Sequence, residues 1–241
     1  MTKPVRLQRY LAQAGLGARR GCEELIREQR VIISGRVAKL GDCVVPGRDR
    51  VEVDGREVVV VAERVVILLN KPAGALSACR RGHEKGRLVT EYVKSRYRLF
   101  PCGRLDRDSE GLLILTNDGD LALQLTHPRF AKEKEYEVDL TGSCSEEQAA
   151  SLTKGVELSD GPARAVRVKR LSPRRLRVVL AEGRKRQLRR MLSRLGLGLR
   201  RLVRVRVGGL ELGGLKPGRW RTLTESEVRA LVQPQSKRGQ A

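Results

Sequence analysis

Two short apolar runs constrain the fold of this chain more than any other feature of its sequence. The first is V-V-I-L-L-N at 65–70, which ends at Asn70-Lys71-Pro72, and the second is L-L-I-L at 112–115. Runs of this length are typical of fully buried strands and are far shorter than the roughly 18 residues that a membrane span requires. With 40% hydrophobic residues, the chain can bury such strands in a packed sheet, which excludes a fully disordered chain.

The first sixty residues have the pattern of a small α+β module. An apolar stripe at helical spacing predicts a first helix, which ends at Gly15; the stripe comprises Leu7, Tyr10, Leu11 and Ala14. A second helix is predicted over 19–28 and a strand over 31–33. Asp54-Gly55 stands between two alternating segments, which predicts a hairpin. We therefore expect a separate domain over 1–60.

The segment 63–232 predicts a second, larger domain. Beyond the two apolar runs, strands are predicted over 136–140, 165–171 and 176–180, and helices over 121–125 and 146–152. Strands and helices follow one another without regular βαβ repeats, so the fold class is α+β rather than a parallel doubly wound fold. The last nine residues, 233–241, are polar and are predicted to be a disordered tail.

The net charge of +22 is concentrated in one part of the chain. Residues 161–221 carry 20 basic and 2 acidic side chains, whereas residues 63–160 carry 15 basic and 16 acidic ones. So large a positive charge predicts a polyanionic partner, for which nucleic acid is the first candidate. An aromatic content of only 3% argues against a sheet that stacks several bases.

Several function classes are disfavoured. The five cysteines never form a C-x-x-C pair and there are only two histidines, so neither a structural zinc site nor a disulfide framework is expected. No phosphate-binding loop and no G-x-G-x-x-G motif occurs. The N-terminus lacks the apolar core of a signal peptide. We expect a cytoplasmic protein with no metal, no small-molecule cofactor and no membrane association.

Three residues are candidates for chemistry. Asp106 comes just ahead of the second apolar run, where a rigid scaffold can present it at a cleft, although composition alone favours a turn or helix-capping role. Tyr136 lies in a predicted strand, where a core position is the alternative. Arg189 lies beside the apolar stripe of a predicted helix and is expected to reach into the protein; the stripe comprises Leu188, Met191, Leu192 and Leu195. A buried arginine needs an acidic partner, and Asp106 is a candidate.

Six sequence motifs resemble those of the RNA pseudouridine synthases that modify ribosomal RNA. The stretch G-R-L-D-R-D-S-E-G-L-L-I-L-T-N-D-G is similar to the catalytic motif of that family. The other motifs occur in the family order across 63–224: L-L-N-K-P-A-G, K-E-Y-E-V, E-G-R-K-R-Q-L-R-R-M, R-L-V-R-V-R-V-G-G-L-E-L and L-K-P-G-R-W-R-T-L-T. V-R-L-Q-R-Y-L-A-Q-A-G through V-I-I-S-G-R-V-A resembles the S4 RNA-binding domain that precedes the catalytic domain in this group.

The resemblance implies a role for each matching residue. Asp106 would be the catalytic carboxylate, Tyr136 would stack on the target uracil, and Arg189 would pair with Asp106. Arg104 would help to hold the target nucleotide outside its helix. The other residues expected to bind RNA are Lys71, Arg184, Arg186 and Arg190 in the second domain and Arg6, Arg19 and Arg20 in the first.

The function that the resemblance implies is conversion of one specific uridine of ribosomal RNA to pseudouridine. The uridine would be flipped out of its helix, and no cofactor would be needed. H-P-R-F-A-K-E-K-E-Y and G-V-E-L-S-D-G-P-A resemble the B type of the large-subunit enzymes most, with the small-subunit type second. The expected partner is ribosomal RNA or a ribosome assembly intermediate, bound by a monomer. The alternatives are an assembly protein that has lost turnover and, with less support, a nucleosidase.

Overall fold

A computed structural model describes residues 3–60 and 63–233 of the 241-residue chain. Its helices are α1 (Leu7–Gln13), α2 (Arg19–Arg27), α3 (Gly119–Thr126), α4 (Glu146–Lys154), α5 (Gln187–Arg194) and α6 (Glu225–Val232), with short 3-10 helices at Val89–Tyr92 and Pro128–Phe130. The strands before residue 60 are β1 (Val5–Arg6), β2 (Val31–Ile33), β3 (Arg36–Val37), β4 (Cys43–Val44), β5 (Val51–Val53) and β6 (Arg56–Glu57). The later strands are β7 (Val66–Lys71), β8 (Phe100–Cys102), β9 (Glu110–Thr116), β10 (Lys134–Leu140), β11 (Val156–Leu158), β12 (Gly161–Ala163), β13 (Arg167–Ser172), β14 (Arg175–Leu180), β15 (Leu199–Val207), β16 (Leu210–Glu211) and β17 (Trp220–Thr222).

The N-terminal part is the predicted α+β module. Strands β3-β2-β5-β6 form a four-stranded antiparallel sheet in that order, and β1 pairs with β4. Both predicted helices are confirmed: Leu7 and Leu11 of α1 and Ile26 of α2 are buried in one apolar cluster. The Tyr10 hydroxyl donates to the Val58 carbonyl at 3.0 Å, so its only polar atom is satisfied within that core.

The predicted hairpin at Asp54-Gly55 is also confirmed. It joins β5 to β6, and φ is +51° at Asp54 and +75° at Gly55. Positive φ at both central residues is typical of the type I′ turn, whose twist matches that of the two strands. Arg30 donates to both carboxylate oxygens of Asp54, at 2.8 and 2.6 Å, which ties the turn to the start of β2.

The second part is built on one nine-stranded sheet. Seven strands follow the order β13-β14-β10-β15-β9-β7-β17, with β16 paired to β15 and β8 paired to β9. Every pair is antiparallel except β15 with β9. This confirms the mixed α+β class with a mainly antiparallel sheet. The two apolar runs of the sequence are the adjacent strands β7 and β9, and α3 and α6 pack with them in one core cluster.

The parallel pairing of β9 with β15 depends on a residue without a side chain. Gly111 lies opposite Arg204 with a φ of +103°. A Cβ atom at Gly111 would lie 2.3 Å from the Arg204 carbonyl oxygen, which no side chain tolerates. Glycine therefore permits the two strands to approach closely at the position where β15 enters the middle of the sheet.

The pairing of β10 with β15 contains a bulge that changes which way two arginines face. Glu135 is paired with Arg206 and Tyr136 with Arg204, so that Val205 is an extra residue in β15. Directly paired residues of antiparallel strands project from the same face, and neighbouring residues of one strand project from opposite faces. Arg204 therefore lies on the Tyr136 face, whereas Arg206 lies on the Glu135 face and donates to the Glu135 carboxylate at 2.7 Å.

Two helix starts differ from the sequence prediction. The run E-G-R-K-R-Q-L-R-R-M at 182–191 predicts a helix from residue 182. The helix begins only at Gln187, because Arg186 has a left-handed φ of +50° that interrupts a helical path. The helix predicted over 121–125 begins earlier, at Gly119. There the Asp118 side chain accepts from the backbone N–H groups of Asp120 and Leu121 and caps the helix.

The chain divides into two compact units. The first comprises Met1–Arg64 with Arg96–Arg98, and the second comprises Val65–Ser95 with Leu99–Ala241. The domain boundaries 1–60 and 63–232 stay predictions about where each folding unit ends. Of the predicted tail at 233–241, all but Gln233 lies outside the described residues. Within the described ranges, no helix combines the length and the apolar character needed to cross a bilayer.

The N-terminal end of α6 is fixed by an ion pair whose contribution to stability depends on pH. Arg221 donates to both oxygens of Glu227 at 2.9 and 2.6 Å, and Glu227 also accepts from the backbone N–H of Thr224. The Arg221 guanidinium, with the help of the Thr224 hydrogen bond, lowers the pKa of Glu227 to about 2. A carboxylate whose pKa is lower in the folded state stabilises the fold at pH values above its unfolded pKa.

We predict that Glu227→Gln lowers the free energy of unfolding by about 0.5–1 kcal/mol at pH 6, since glutamine keeps the helix cap and loses the ion pair. The difference in free energy of unfolding between the variant and the wild type should narrow as the pH falls below about 4.3 and vanish near the folded-state pKa of about 2. Urea titrations at pH 6, 4 and 3 measure this difference. Glu225→Gln, in the first turn of the same helix, is the control and should show a smaller gap. An equal gap for Glu227→Gln at every pH would contradict the role of the ion pair.

Candidate active site

A cavity of about 390 Å³ opens in the second unit between the β8–β9 loop, the start of β10, the end of β14 and the start of α5. All three residues predicted to carry the chemistry line it: Asp106, Tyr136 and Arg189. These residues are separated by up to 83 positions in the chain. The fold therefore brings together side chains that the sequence could associate only by hypothesis.

Asp106 lies in the loop that leads from β8 into β9. The backbone N–H of Ser109 donates to the Asp106 carbonyl at 3.0 Å, which closes a turn. The Ser77 hydroxyl donates to the Leu105 carbonyl at 2.9 Å and accepts from the Leu105 N–H at 3.2 Å. These bonds fix the backbone on both sides of Asp106, whose side chain remains 31% exposed at the cavity. The loop thus presents a carboxylate on a rigid support.

The prediction that Lys71 binds RNA is wrong, because its side chain is buried inside the protein. Its side chain is 0% exposed. The ammonium donates to the carbonyls of Pro72, Arg107 and Ser109 at 3.0, 3.1 and 2.7 Å. Burial lowers the pKa of Lys71 to about 8, against the attraction of nearby carboxylates. The buried charge therefore holds the loop that carries Asp106 in place, and no phosphate can reach it there.

Arg189 approaches Asp106 from α5. The apolar stripe predicted for this helix is buried at Leu188, Met191 and Leu192, which leaves Arg189 at the edge of the buried face, as its spacing predicts. Its Nε lies 3.6 Å from the nearer oxygen of Asp106, and its Nη2 donates to the Ser109 hydroxyl at 3.0 Å. This geometry gives Asp106 a neighbouring positive charge while Ser109 sets the orientation of the guanidinium.

Tyr136 lies on β10 and is 9% exposed. It forms part of the cavity wall, and it is paired across the strands with Arg204 of β15 and with Val178 of β14. Position in a central strand allows the ring little freedom to move. An aromatic ring fixed at the cavity in this way offers an apolar surface against which a flat base can stack.

Two arginines predicted to bind RNA form hydrogen bonds within the protein instead. Arg184 donates to the carbonyls of Asp160, Gly161 and Pro162 at 2.7–3.1 Å. Arg190 donates to both carboxylate oxygens of Asp160 at 2.8 and 2.9 Å. Both therefore tie the β11–β12 hairpin to the start of α5. Arg190 does point away from the apolar stripe, but it is not free for phosphate as expected.

The remaining arginines predicted to bind RNA lie at the surface. Arg104 and Arg186 are exposed at the mouth of the cavity. In the first unit, Arg6, Arg19 and Arg20 are exposed, and Arg6 donates to the Gly41 carbonyl. These five side chains are accessible to a polyanion, and their role in RNA binding stays a prediction.

Sequence reasoning missed three residues of the cavity. Ser109 belongs to the motif around Asp106 but had no assigned role, and it is the hydrogen-bond partner of Arg189. Lys134 and Arg204 line the same cavity as Asp106. The position of Lys134 two residues before Tyr136 on the same strand could have indicated it, whereas nothing in the sequence marks the bulge that turns Arg204 inwards. In the described part of the chain, no cluster of three or more His, Cys, Asp or Glu side chains could hold a metal ion.

Comparison with known proteins identifies the family of both parts of the chain. Residues 65–194 match the family model of RNA pseudouridylate synthase, and residues 5–51 match the S4 domain. A solved structure described as a pseudouridylate synthase is 27% identical, with a TM-score of 0.70 over 95% of this chain and 100% of the other.

Curated relatives extend over nearly the whole chain. Ribosomal large subunit pseudouridine synthase B of Bacillus subtilis is 38% identical over 94% of this chain and 95% of the relative. Dual-specificity RNA pseudouridine synthase RluF of Escherichia coli is 35% identical over 93% of this chain and 77% of the relative. An uncharacterized RNA pseudouridine synthase of Aquifex aeolicus is 39% identical over 94% and 93%. The chain therefore belongs to the RNA pseudouridylate synthase family and carries an S4 domain at its N-terminal end, and the cavity that unites Asp106, Tyr136 and Arg189 is its candidate active site.

Proposed function

We propose that this enzyme converts one specific uridine of large-subunit ribosomal RNA to pseudouridine, with Asp106 as the catalytic carboxylate and without a cofactor. The observation that carries the proposal is the arrangement of Asp106 beside Arg189 in a cavity whose wall contains Tyr136. The reaction needs those three kinds of group and no more: a carboxylate at the ribose and base, a compensating cation, and a flat apolar surface.

The chemistry is an isomerisation in which no atom is gained or lost. The bond between N1 of uracil and C1′ of ribose breaks, and a bond between C5 and C1′ replaces it. The proton on C5 leaves and N1 gains one. No electrons enter or leave the substrate, so neither a redox cofactor nor a metal ion is required by the balance of the reaction. Asp106 would act on the sugar or on the base.

The target base must leave its helix before it can reach Asp106. Extruding a base costs a few kcal/mol, and contacts between the protein and the flanking phosphates offset this cost. Arg104 and Arg186 lie at the mouth of the cavity, where such phosphates would pass. Tyr136 would then hold the extruded uracil by stacking on its face.

The choice of ribosomal RNA is supported by the S4 domain and by the relatives. The Bacillus subtilis relative is named for the large ribosomal subunit, and the S4 domain fits selection of a structured RNA by shape and phosphate contacts. We propose that a monomer acts in the cytoplasm on ribosomal RNA or a ribosome assembly intermediate. All three groups assigned to the chemistry come from one chain, so that a monomer suffices.

Asp106→Asn should abolish pseudouridine formation, because the amide keeps the shape of the side chain but cannot act as a carboxylate. We expect the rate to fall by about 10³-fold or more, while binding to ribosomal RNA survives. The measurement is carbodiimide mapping of pseudouridines in both ribosomal RNAs from a deletion strain complemented with each variant. The site missing from the deletion strain identifies the target nucleotide and the ribosomal RNA that contains it.

Asp108→Asn is the matched control for this experiment, since it removes a second carboxylate of the same loop. We expect it to restore the modification. Turnover by Asp106→Asn at the wild-type rate would show that the carboxylate assignment is wrong. A deletion strain with every pseudouridine intact would refute the choice of ribosomal RNA.

Arg186→Gln should weaken binding to transcribed large-subunit ribosomal RNA and make it less dependent on salt. Removing one phosphate interaction lowers the slope of log K against log salt concentration by about 0.7–0.9. Arg190→Gln is the control, since Arg190 is paired with Asp160, and its slope should change less. Filter binding at salt concentrations from about 50 to about 300 mM distinguishes the two variants. An unaltered slope for Arg186→Gln would exclude a phosphate contact.

A further inference from the structure

The bulge at Val205 places a buried arginine in the active-site cavity. Arg204 is 4% exposed, lines the cavity and lies directly across from Tyr136. Its Nε donates to the Leu112 carbonyl at 2.8 Å, which fixes the base of the guanidinium to β9. Without the bulge, Arg204 would share a face with Arg206 and would point away from the cavity.

Lys134 enters the same cavity from the neighbouring strand. It lies two residues before Tyr136 on β10 and therefore projects from the same face. Its ammonium donates to the carbonyl of Lys132 at 3.0 Å. Burial lowers the pKa of Lys134 to about 8, and the positive charge of Arg204 adds to this effect. At neutral pH the side chain is still mostly protonated.

These two cations have no carboxylate partner. No ion pair within residues 3–60 and 63–233 includes Arg204 or Lys134. The nearest functional carboxylate, Asp106, already faces Arg189, and the cavity-lining Glu182 accepts from Gln187 and Arg184. Burying a positive charge without a partner is costly. The cavity is therefore built for a ligand that brings a negative charge to the side where Tyr136 lies.

The reaction generates a negative charge at that place. When the N1–C1′ bond breaks, both bonding electrons stay with the uracil, and the charge spreads over N1, O2 and O4. The electron pair returns when C5 bonds to C1′ and the C5 proton is lost. A base that stacks on Tyr136 would direct one carbonyl edge at the neighbouring strand residues. Phosphates, in contrast, would meet the exposed arginines at the mouth of the cavity.

We infer that Arg204 and Lys134 bind the carbonyl oxygens of the uracil and stabilise the charge that the base carries while it is detached from the ribose. This inference rests on the proposed function and adds two residues to its chemistry. Fixed cations that face a developing negative charge in a cavity sheltered from water act without reorganisation, which is why such groups have large effects on rates.

The test compares the rate of the chemical step with the affinity for RNA. The substrate is transcribed large-subunit ribosomal RNA with tritium at C5 of uridine, because formation of pseudouridine releases that hydrogen. Under single-turnover conditions we expect Lys134→Met to lower the rate about 10- to 100-fold, with Kd changed less than about 2-fold. Lys134→Arg keeps the charge and should recover most of the rate. Arg204→Lys, which keeps a charge in a shorter side chain, should lose less than Arg204→Met.

Arg206→Met is the matched control, since Arg206 lies two residues from Arg204 on the opposite face and pairs with Glu135. It should lower the melting temperature without lowering the single-turnover rate of the folded enzyme. Wild-type rates for Lys134→Met and Arg204→Met, with tritium release by the wild type intact, would overturn this inference and leave the proposed function standing. So would a rate loss matched by an equal loss of affinity. Absence of tritium release by the wild type from both ribosomal RNAs would instead refute the proposed function.

Discussion

The buried ammonium of Lys71 is the interaction on which the active site depends. A charged group that is taken out of water costs several kcal/mol, and here three carbonyl groups offset the cost. Two of those carbonyls, from Arg107 and Ser109, belong to the loop that carries Asp106. Lys71 ends β7 and is paired with Gly111 of β9. Its side chain therefore connects the middle of the sheet to the loop that carries Asp106. Arg189 then completes the site by reaching Ser109.

Local structure and the meeting of Asp106, Tyr136 and Arg189 in one cavity were predictable from the sequence, because both depend on short-range patterns or on family motifs. The stripe of α1, the Asp54-Gly55 turn and the edge position of Arg189 follow from spacing alone. The role of Lys71 was not predictable, since a lysine beside a proline carries no signal of burial. The position of Arg204 in the cavity was not predictable either. R-V-R predicts two arginines on one face of a strand, and only the register with β10 reveals the extra residue.

Nearly half of the basic side chains in the most positively charged segment are paired with carboxylates of the protein itself. Of the 20 basic side chains in residues 161–221, nine form ion pairs: Arg170, Arg175, Arg177, Arg184, Arg189, Arg190, Arg201, Arg206 and Arg221. Most of their partners belong to residues 63–160, whose own balance is close to neutral. The positive charge that this segment offers to a polyanion is therefore smaller than its net charge implies.

The bulge in β15 also bears on how this sheet can change over evolutionary time. Because the single extra residue at Val205 directs Arg204 and Arg206 to opposite faces, each face can accumulate substitutions without altering the other. In a regular strand the two arginines, which are two residues apart, would share one face, and a substitution of either would alter the surroundings of the other. The extra residue separates them, so that substitutions on the ion-paired side of β15 leave the cavity side unaltered.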